Sequence, residues 1–211
     1  MAEAWVVLIR HGETEWNRAG RIQGYHADSP LTDTGREQVR ALALRLAREG
    51  IDALHSSDMG RTRETAEPIA AATGVPVAYD AMLRERNYGV FEGHGYTALG
   101  SAFPAEYERF RTRDPDYVPP GGESAAQFRD RIVAALEAIA SRSPSGRVAV
   151  VTHGGVLGVI YRRAMEIPLS EKRGYVLANA SLNHFRFSGG RWLLEAWADT
   201  AHLSVASSGE R

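Results

Sequence analysis

Two short apolar runs, residues 5–9 and 148–151, each lead into a histidine followed by glycine, in Arg10-His11-Gly12 and Thr152-His153-Gly154. The runs show no apolar–polar alternation, so a strand built from either is apolar on both faces. A sheet buries both faces when helices cover each side, as in the parallel sheets of α/β folds. Ligands of such sheets bind beyond the carboxyl ends of the strands. Both histidines fall just past those ends, where the following glycine lets the backbone turn sharply. If the two strands are neighbours, the two imidazoles share one pocket mouth.

The remaining pattern agrees with strands alternating with helices around a mostly parallel sheet. Residues 32–48 carry Val39, Leu42, Ala43 and Leu46 at helical spacing, with Gly50 as the stop. Residues 51–56 and, more weakly, 75–79 read as strands. Between them residues 59–72 read as a helix that ends at Gly74 and kinks at Pro68. Residues 83–122 are rich in Gly, Pro, Tyr and Arg and read as short helices and loops inserted between sheet elements. Ser124 and Gln127 have the spacing of a capping box, and Phe128, Ile132, Leu136 and Ile139 follow on one helical face. A helix over 155–165 follows the second apolar run. Residues 182–187 and 191–197, joined across Gly189-Gly190, read as an antiparallel hairpin, and 204–211 as a frayed tail. With no repeat or linker, all 211 residues are expected to form one domain.

Composition narrows the function by exclusion. The chain has no cysteine, which removes disulfides, thiolate metal sites and thiol nucleophiles. Its net charge of −1 gives no sign of a nucleic-acid partner. Neither a signal peptide nor an apolar run of membrane-spanning length is visible, so a cytoplasmic protein is expected. Of 25 basic residues only Lys172 is a lysine, and arginine suits bidentate recognition of phosphate or carboxylate.

The chemistry gathers at the two histidines. Arg10 precedes His11 directly, and Arg61 and Arg63 follow the second strand candidate. Guanidiniums and imidazoles around one point make an anion site, and a phosphoryl group is its natural occupant. A neutral imidazole can attack phosphorus to form a phosphohistidine, while arginines stabilise the equatorial oxygens. The leaving oxygen then needs a proton from a nearby carboxylic acid. Glu85, Glu13 and Glu92 are equal candidates on spacing alone. No metal-ligand motif is present, and the arginines oppose a cation.

The segment Leu8-Ile9-Arg10-His11-Gly12-Glu13-Thr14-Glu15-Trp16-Asn17 resembles the defining motif of the histidine phosphatase superfamily, also called phosphoglycerate mutase-like. Gln23-Gly24, Asp28-Ser29-Pro30-Leu31-Thr32, the stretch from Ser56 to Ala66 that holds Arg61, residues 83–93 and Thr152-His153-Gly154-Gly155 are similar to its further motifs, in the same order. The resemblance implies a three-layer α/β/α fold with a small helical insertion over the site, about residues 84–124. It implies His11 as the phosphorylated nucleophile, Arg10, Arg61, His153 and Asn17 around the phosphoryl group, Glu85 as proton donor, and Gln23 and Gly24 facing substrate.

The resemblance also implies chemistry without a metal on a small phosphorylated metabolite. Mutase members in addition need 2,3-bisphosphoglycerate as a primer. A phosphomonoester hydrolase is the first expectation and a phosphoglycerate mutase the second. The adjacent arginine pair and longer loop of mutases are missing here, where Arg109, Arg111 and Arg113 alternate instead. A catalytically silent binding protein is a remote third. Tyr25, His26, Tyr96 and His94 are candidates for the pocket mouth, and His55 for a structural role. A homodimer is allowed but not required.

Overall fold

The computed structural model describes residues 3–206. Its centre is a six-stranded sheet of β1 (Ala4–Arg10), β2 (Ala53–Ser56), β3 (Val77–Tyr79), β4 (Arg147–Thr152), β5 (Leu182–Ser188) and β6 (Arg191–Asp199). The spatial order is β3-β2-β4-β1-β5-β6. The first four in that order pair parallel, and β5 pairs antiparallel with both β1 and β6. The two apolar runs are therefore neighbours, in a register that sets Val6 against Val148 and Arg10 against Thr152.

Alternate residues of these central strands feed two cores, which is why the runs carry no polar position. Val6, Leu8, Val148 and Val150 face α6 (Ala125–Ser141) and α7 (Gly154–Met165). Val7, Ile9, Ala149 and Val151 face α2 (Asp33–Glu49) and α3 (Gly60–Thr73). Leu42, Ala43 and Leu46 of α2 and Phe128, Ile132, Leu136 and Ile139 of α6 are the buried stripes that the spacing predicts. The Ser124–Gln127 capping box forms, each side chain accepting the other's backbone N–H. A left-handed Gly74 (φ 73°) closes α3.

The helix expected to end at Gly74 does so, with Pro68 inside it and Ala66 and Ile69 on its buried face. Three expectations need correction. The strands expected at 51–56 and 75–79 shrink to Ala53–Ser56 and Val77–Tyr79. The hairpin extends through Ser188 and Asp199. Finally, Ala201–Ala206 form a short helix, α8, against α2, with His202 buried, so the frayed tail does not begin at Ser204. The rest of that expected tail lies outside the described residues.

Between β3 and α6 lie three 3-10 turns (Ala81–Leu83, Gly89–Phe91, Tyr96–Ala98) and two short helices, α4 (Leu99–Ala102) and α5 (Pro104–Arg111). They share a small core of Ile22, Phe91 and Leu99, with Phe103, Tyr107 and Phe110 packed on it. No helix among the described residues is long and apolar enough to cross a membrane.

Candidate active site

The pairing of β1 with β4 delivers both histidines to one place. One step past Arg10 and Thr152, the His11 N–H donates to the Thr152 carbonyl at 3.0 Å. The two imidazole centroids stand 5.5 Å apart with an interplanar angle of 62°. His11 Nδ1 lies 2.8 Å from the Gly12 carbonyl. A carbonyl only accepts, so Nδ1 carries the proton and Nε2 keeps its lone pair. His153 sets Nε2 at 2.9 Å from the Ser57 hydroxyl, while its Nδ1 is buried without a partner. Burial, then the charge of Arg61, pushes both imidazoles well below the usual histidine range, with Arg10 adding to the effect. At neutral pH both rings are uncharged, the state in which a lone pair is available.

Two buried guanidiniums complete the anion site. Arg61, at the start of α3, has a fully buried side chain. Its terminal nitrogens donate to Asp28 Oδ1 (2.7 Å) and to the carbonyls of Ala27 and Gly24. Arg10 donates to the Leu177 carbonyl. In both arginines Nε is buried with no acceptor. A buried unpaired donor is costly, and both arginines line the cavity that holds His11. Arg61→Ala should lower kcat/KM for 4-nitrophenyl phosphate on the order of 10²–10³, the cost of one transition-state charge stabiliser. A loss below about threefold would show that Arg61 serves the fold alone. Arg63 does not join the site, because its guanidinium lies over the Tyr79 ring, 3.9 Å from the centroid.

The three candidate acids separate sharply. Glu92 accepts the backbone N–H groups of Tyr25, His26, Ala27 and Tyr88, which ties the loop after Gln23 to the insertion. Glu13 accepts the Thr32 hydroxyl at 2.8 Å. Glu85 alone lines the cavity that holds His11, Arg10 and Arg61, a space of about 750 Å³. Its oxygens accept from Arg86 N and Gly155 N, both at 2.8 Å. Burial raises its pKa, outweighing those two N–H groups and the two arginines, so the proton is retained to higher pH than in a free carboxyl. Glycine at 155 permits the approach, since a Cβ there would sit 2.1 Å from Glu85 Oε1. Arg131 of α6 fixes the acid's backbone by donating to the carbonyls of Met82, Arg84 and Glu85.

Asn17, in the one-turn helix α1 (Glu15–Arg18), lines the cavity, its Oδ1 accepting from Thr14 N and from Asn179 Nδ2. That leaves the Asn17 amide N–H₂ as its free donor. Gln23 also lines the cavity and donates to the Thr14 hydroxyl, with its Oε1 buried and unpaired. Gly24 is set apart from the cavity; a Cβ there would meet Glu92 Oε1 at 2.0 Å, and its carbonyl serves Arg61. Tyr96 lines the cavity, whereas Tyr25, His26, His55 and His94 do not. Of the three alternating arginines only Arg113 reaches it, because Arg111 pairs with Glu108 and Arg109 covers the Tyr117 ring.

Sequence reasoning passed over the segment between α7 and β5, which supplies Arg173, Tyr175, Leu177 and Asn179 to the cavity wall. Asn179 Nδ2 also donates to the His11 carbonyl at 3.0 Å. The available signal was topological: an antiparallel strand begins at the edge where parallel strands end, so residues just before Leu182 must lie beside the site.

Fold and site together define an α/β protein that presents two neutral imidazoles, two buried guanidiniums and a buried carboxylic acid at one edge of its sheet. A family model for the histidine phosphatase superfamily (branch 1) matches residues 6–200. Phosphoglycerate mutase-like protein 4 of Arabidopsis thaliana is 41% identical, over 95% of this chain and 87% of its own length. A metal-independent phosphoserine phosphatase of the same organism is 40% identical, over 94% and 83%. The solved structure of Bacillus stearothermophilus YhfR superposes with a TM-score of 0.86 at 31% identity, covering 95% of this chain and 99% of that one. The chain belongs to branch 1 of the histidine phosphatase superfamily, and it is an enzyme of that class.

Proposed function

We propose that the chain hydrolyses phosphomonoesters of small metabolites without a metal ion, through a phosphohistidine on His11. The observation that carries this is a lone pair on His11 Nε2 in the same cavity wall as two buried, unpaired Nε donors of Arg10 and Arg61. The arginines, with His153 and Asn17, receive the non-bridging oxygens. Nε2 attacks phosphorus as the ester P–O bond breaks, and Glu85 gives its proton to the leaving oxygen. The alcohol departs. Glu85, now a carboxylate, takes a proton from water as the water oxygen attacks phosphorus. The N–P bond breaks, its electron pair returns to Nε2, and inorganic phosphate is released.

Independence from metal is supported by the relative whose name states it and by the two guanidiniums, which repel a cation beside His11. No three His, Asp or Glu side chains stand together as a metal site among the described residues. The relatives' names include a mutase as well as a phosphatase. A mutase must hold its dephosphorylated product and exclude water, otherwise proximity is lost. Here the rim residues Gly20, Arg113 and Arg173 are exposed, which favours entry of water.

The test is to supply 3-phosphoglycerate with and without 2,3-bisphosphoglycerate and to quantify phosphate against 2-phosphoglycerate. Phosphate should dominate and need no primer. Primer-dependent 2-phosphoglycerate formed faster than phosphate would establish the mutase instead. Chelators should leave the rate unchanged.

A further inference from the structure

A second cavity, of about 320 Å³, lies against the catalytic cavity beneath the insertion. Arg86, Tyr96, Arg113, Ala125 and Leu169 line both, so the two spaces share a boundary. Away from that boundary the annex is lined by Leu99, Tyr107, Phe110 and Tyr117, with the exposed Arg111 and Asp114 beside them. Of the two arginines at the junction, Arg86 already lies on rings: its guanidinium is 5.4 Å from the Tyr88 centroid and 5.8 Å from that of Phe110. Arg113 follows the C-cap of α5 with φ 61°, in the left-handed region that glycine occupies most easily. It forms no ion pair, and its side chain stands at the mouth of the annex despite that backbone cost.

We propose that the annex is the leaving-group subsite, and that it receives a flat aromatic ring carried several bonds from the ester oxygen on the alcohol half of the substrate. The proposal rests on the phosphomonoesterase reading above. Three observations carry it. The shared boundary places this space next to whatever extends from a phosphoryl group at His11 toward the insertion. The size fits: a cavity of about 150 Å³ already holds benzene, and pockets of about 300–1,000 Å³ suit ligands much larger than a three-carbon phosphomonoester. The lining fits too, because aromatic walls stack a ring and guanidiniums favour its face. Arg113 and Arg86 then act as specificity residues that bind the ring and take no part in the phosphoryl chemistry.

The experiment compares ethyl, butyl and 4-phenylbutyl phosphates, whose leaving groups are all primary alkoxides, so the demand on Glu85 is constant. We expect kcat/KM for 4-phenylbutyl phosphate to exceed that for butyl phosphate about tenfold or more, mainly through KM. Ala125→Leu narrows the junction and Arg113→Gly removes the guanidinium while relieving the left-handed backbone. Each should cut the phenylbutyl-to-butyl ratio to below about threefold, and Arg113→Gly should do so without lowering Tm.

A wild-type ratio near one overturns the proposal. So does a high ratio that both variants retain, since the ring then binds elsewhere. A preference for phosphoserine over both alkyl esters that Arg113→Gly abolishes also overturns it, because the arginines then read a second negative charge. Inertness toward all of these esters and toward 4-nitrophenyl phosphate would instead defeat the phosphomonoesterase reading itself.

Discussion

His11→Ala should abolish turnover, by a factor on the order of 10⁴ or more, as when a nucleophile is removed from a group of residues that act as a unit. The magnitude follows from the route. Without Nε2 the phosphoryl group has no covalent acceptor, and water must attack the ester directly in a pocket arranged for a different in-line partner. Folding should survive. The ring's one hydrogen bond is to the carbonyl of the next residue, and its charged neighbours, Arg61 and Arg10, disfavour its protonated form. The expected loss of stability is about 1 kcal/mol, typical of a single substitution. The check is a rapid-quench labelling experiment with radioactive phosphomonoester, beside a thermal melt. Wild-type protein should accumulate an acid-labile, base-stable phosphoenzyme that the variant lacks. A folded variant that keeps more than about one per cent of the rate would remove the phosphohistidine from the mechanism.

Much of this site is legible in the amino-acid sequence, for a physical reason. A strand that is apolar on both faces has few places to go, and residues 5–9 and 148–151 both had to enter the middle of a covered sheet. The register of β1 on β4 then brings His11 and His153 together. Asn179 and Arg173 were not legible, because their segment has no periodicity and is placed by the start of β5 rather than by its own composition. The annex wall was hidden for a similar reason: Tyr107, Phe110 and Tyr117 come from short helices and turns whose burial is set by one another.

Sequence spacing leaves open the choice among Glu13, Glu85 and Glu92; only Glu85 of the three lines the cavity, and its proposed role as acid gives the second large effect. Glu85→Gln keeps the side chain's size and an acceptor for Gly155 N or Arg86 N, but removes the transferable proton. An alkoxide leaving group needs that proton, whereas a stabilised phenolate needs little help. The rate of His11 phosphorylation should therefore fall about 10²–10⁴-fold for an alkyl phosphate and far less for 4-nitrophenyl phosphate. Single-turnover measurements on both esters test this directly. Burial raises the Glu85 pKa, so the acid form persists to higher pH than in a free carboxyl and is lost as pH rises through its folded value. The ratio of alkyl to aryl rates should accordingly decline on the alkaline side in the wild type and lose that decline in Glu85→Gln. Taking the ratio removes most of the substrate phosphate's own titration. Equal losses on both esters, or an unchanged pH profile in the variant, would assign the proton to another group and leave Glu85 as a structural partner of the α7 N-terminus.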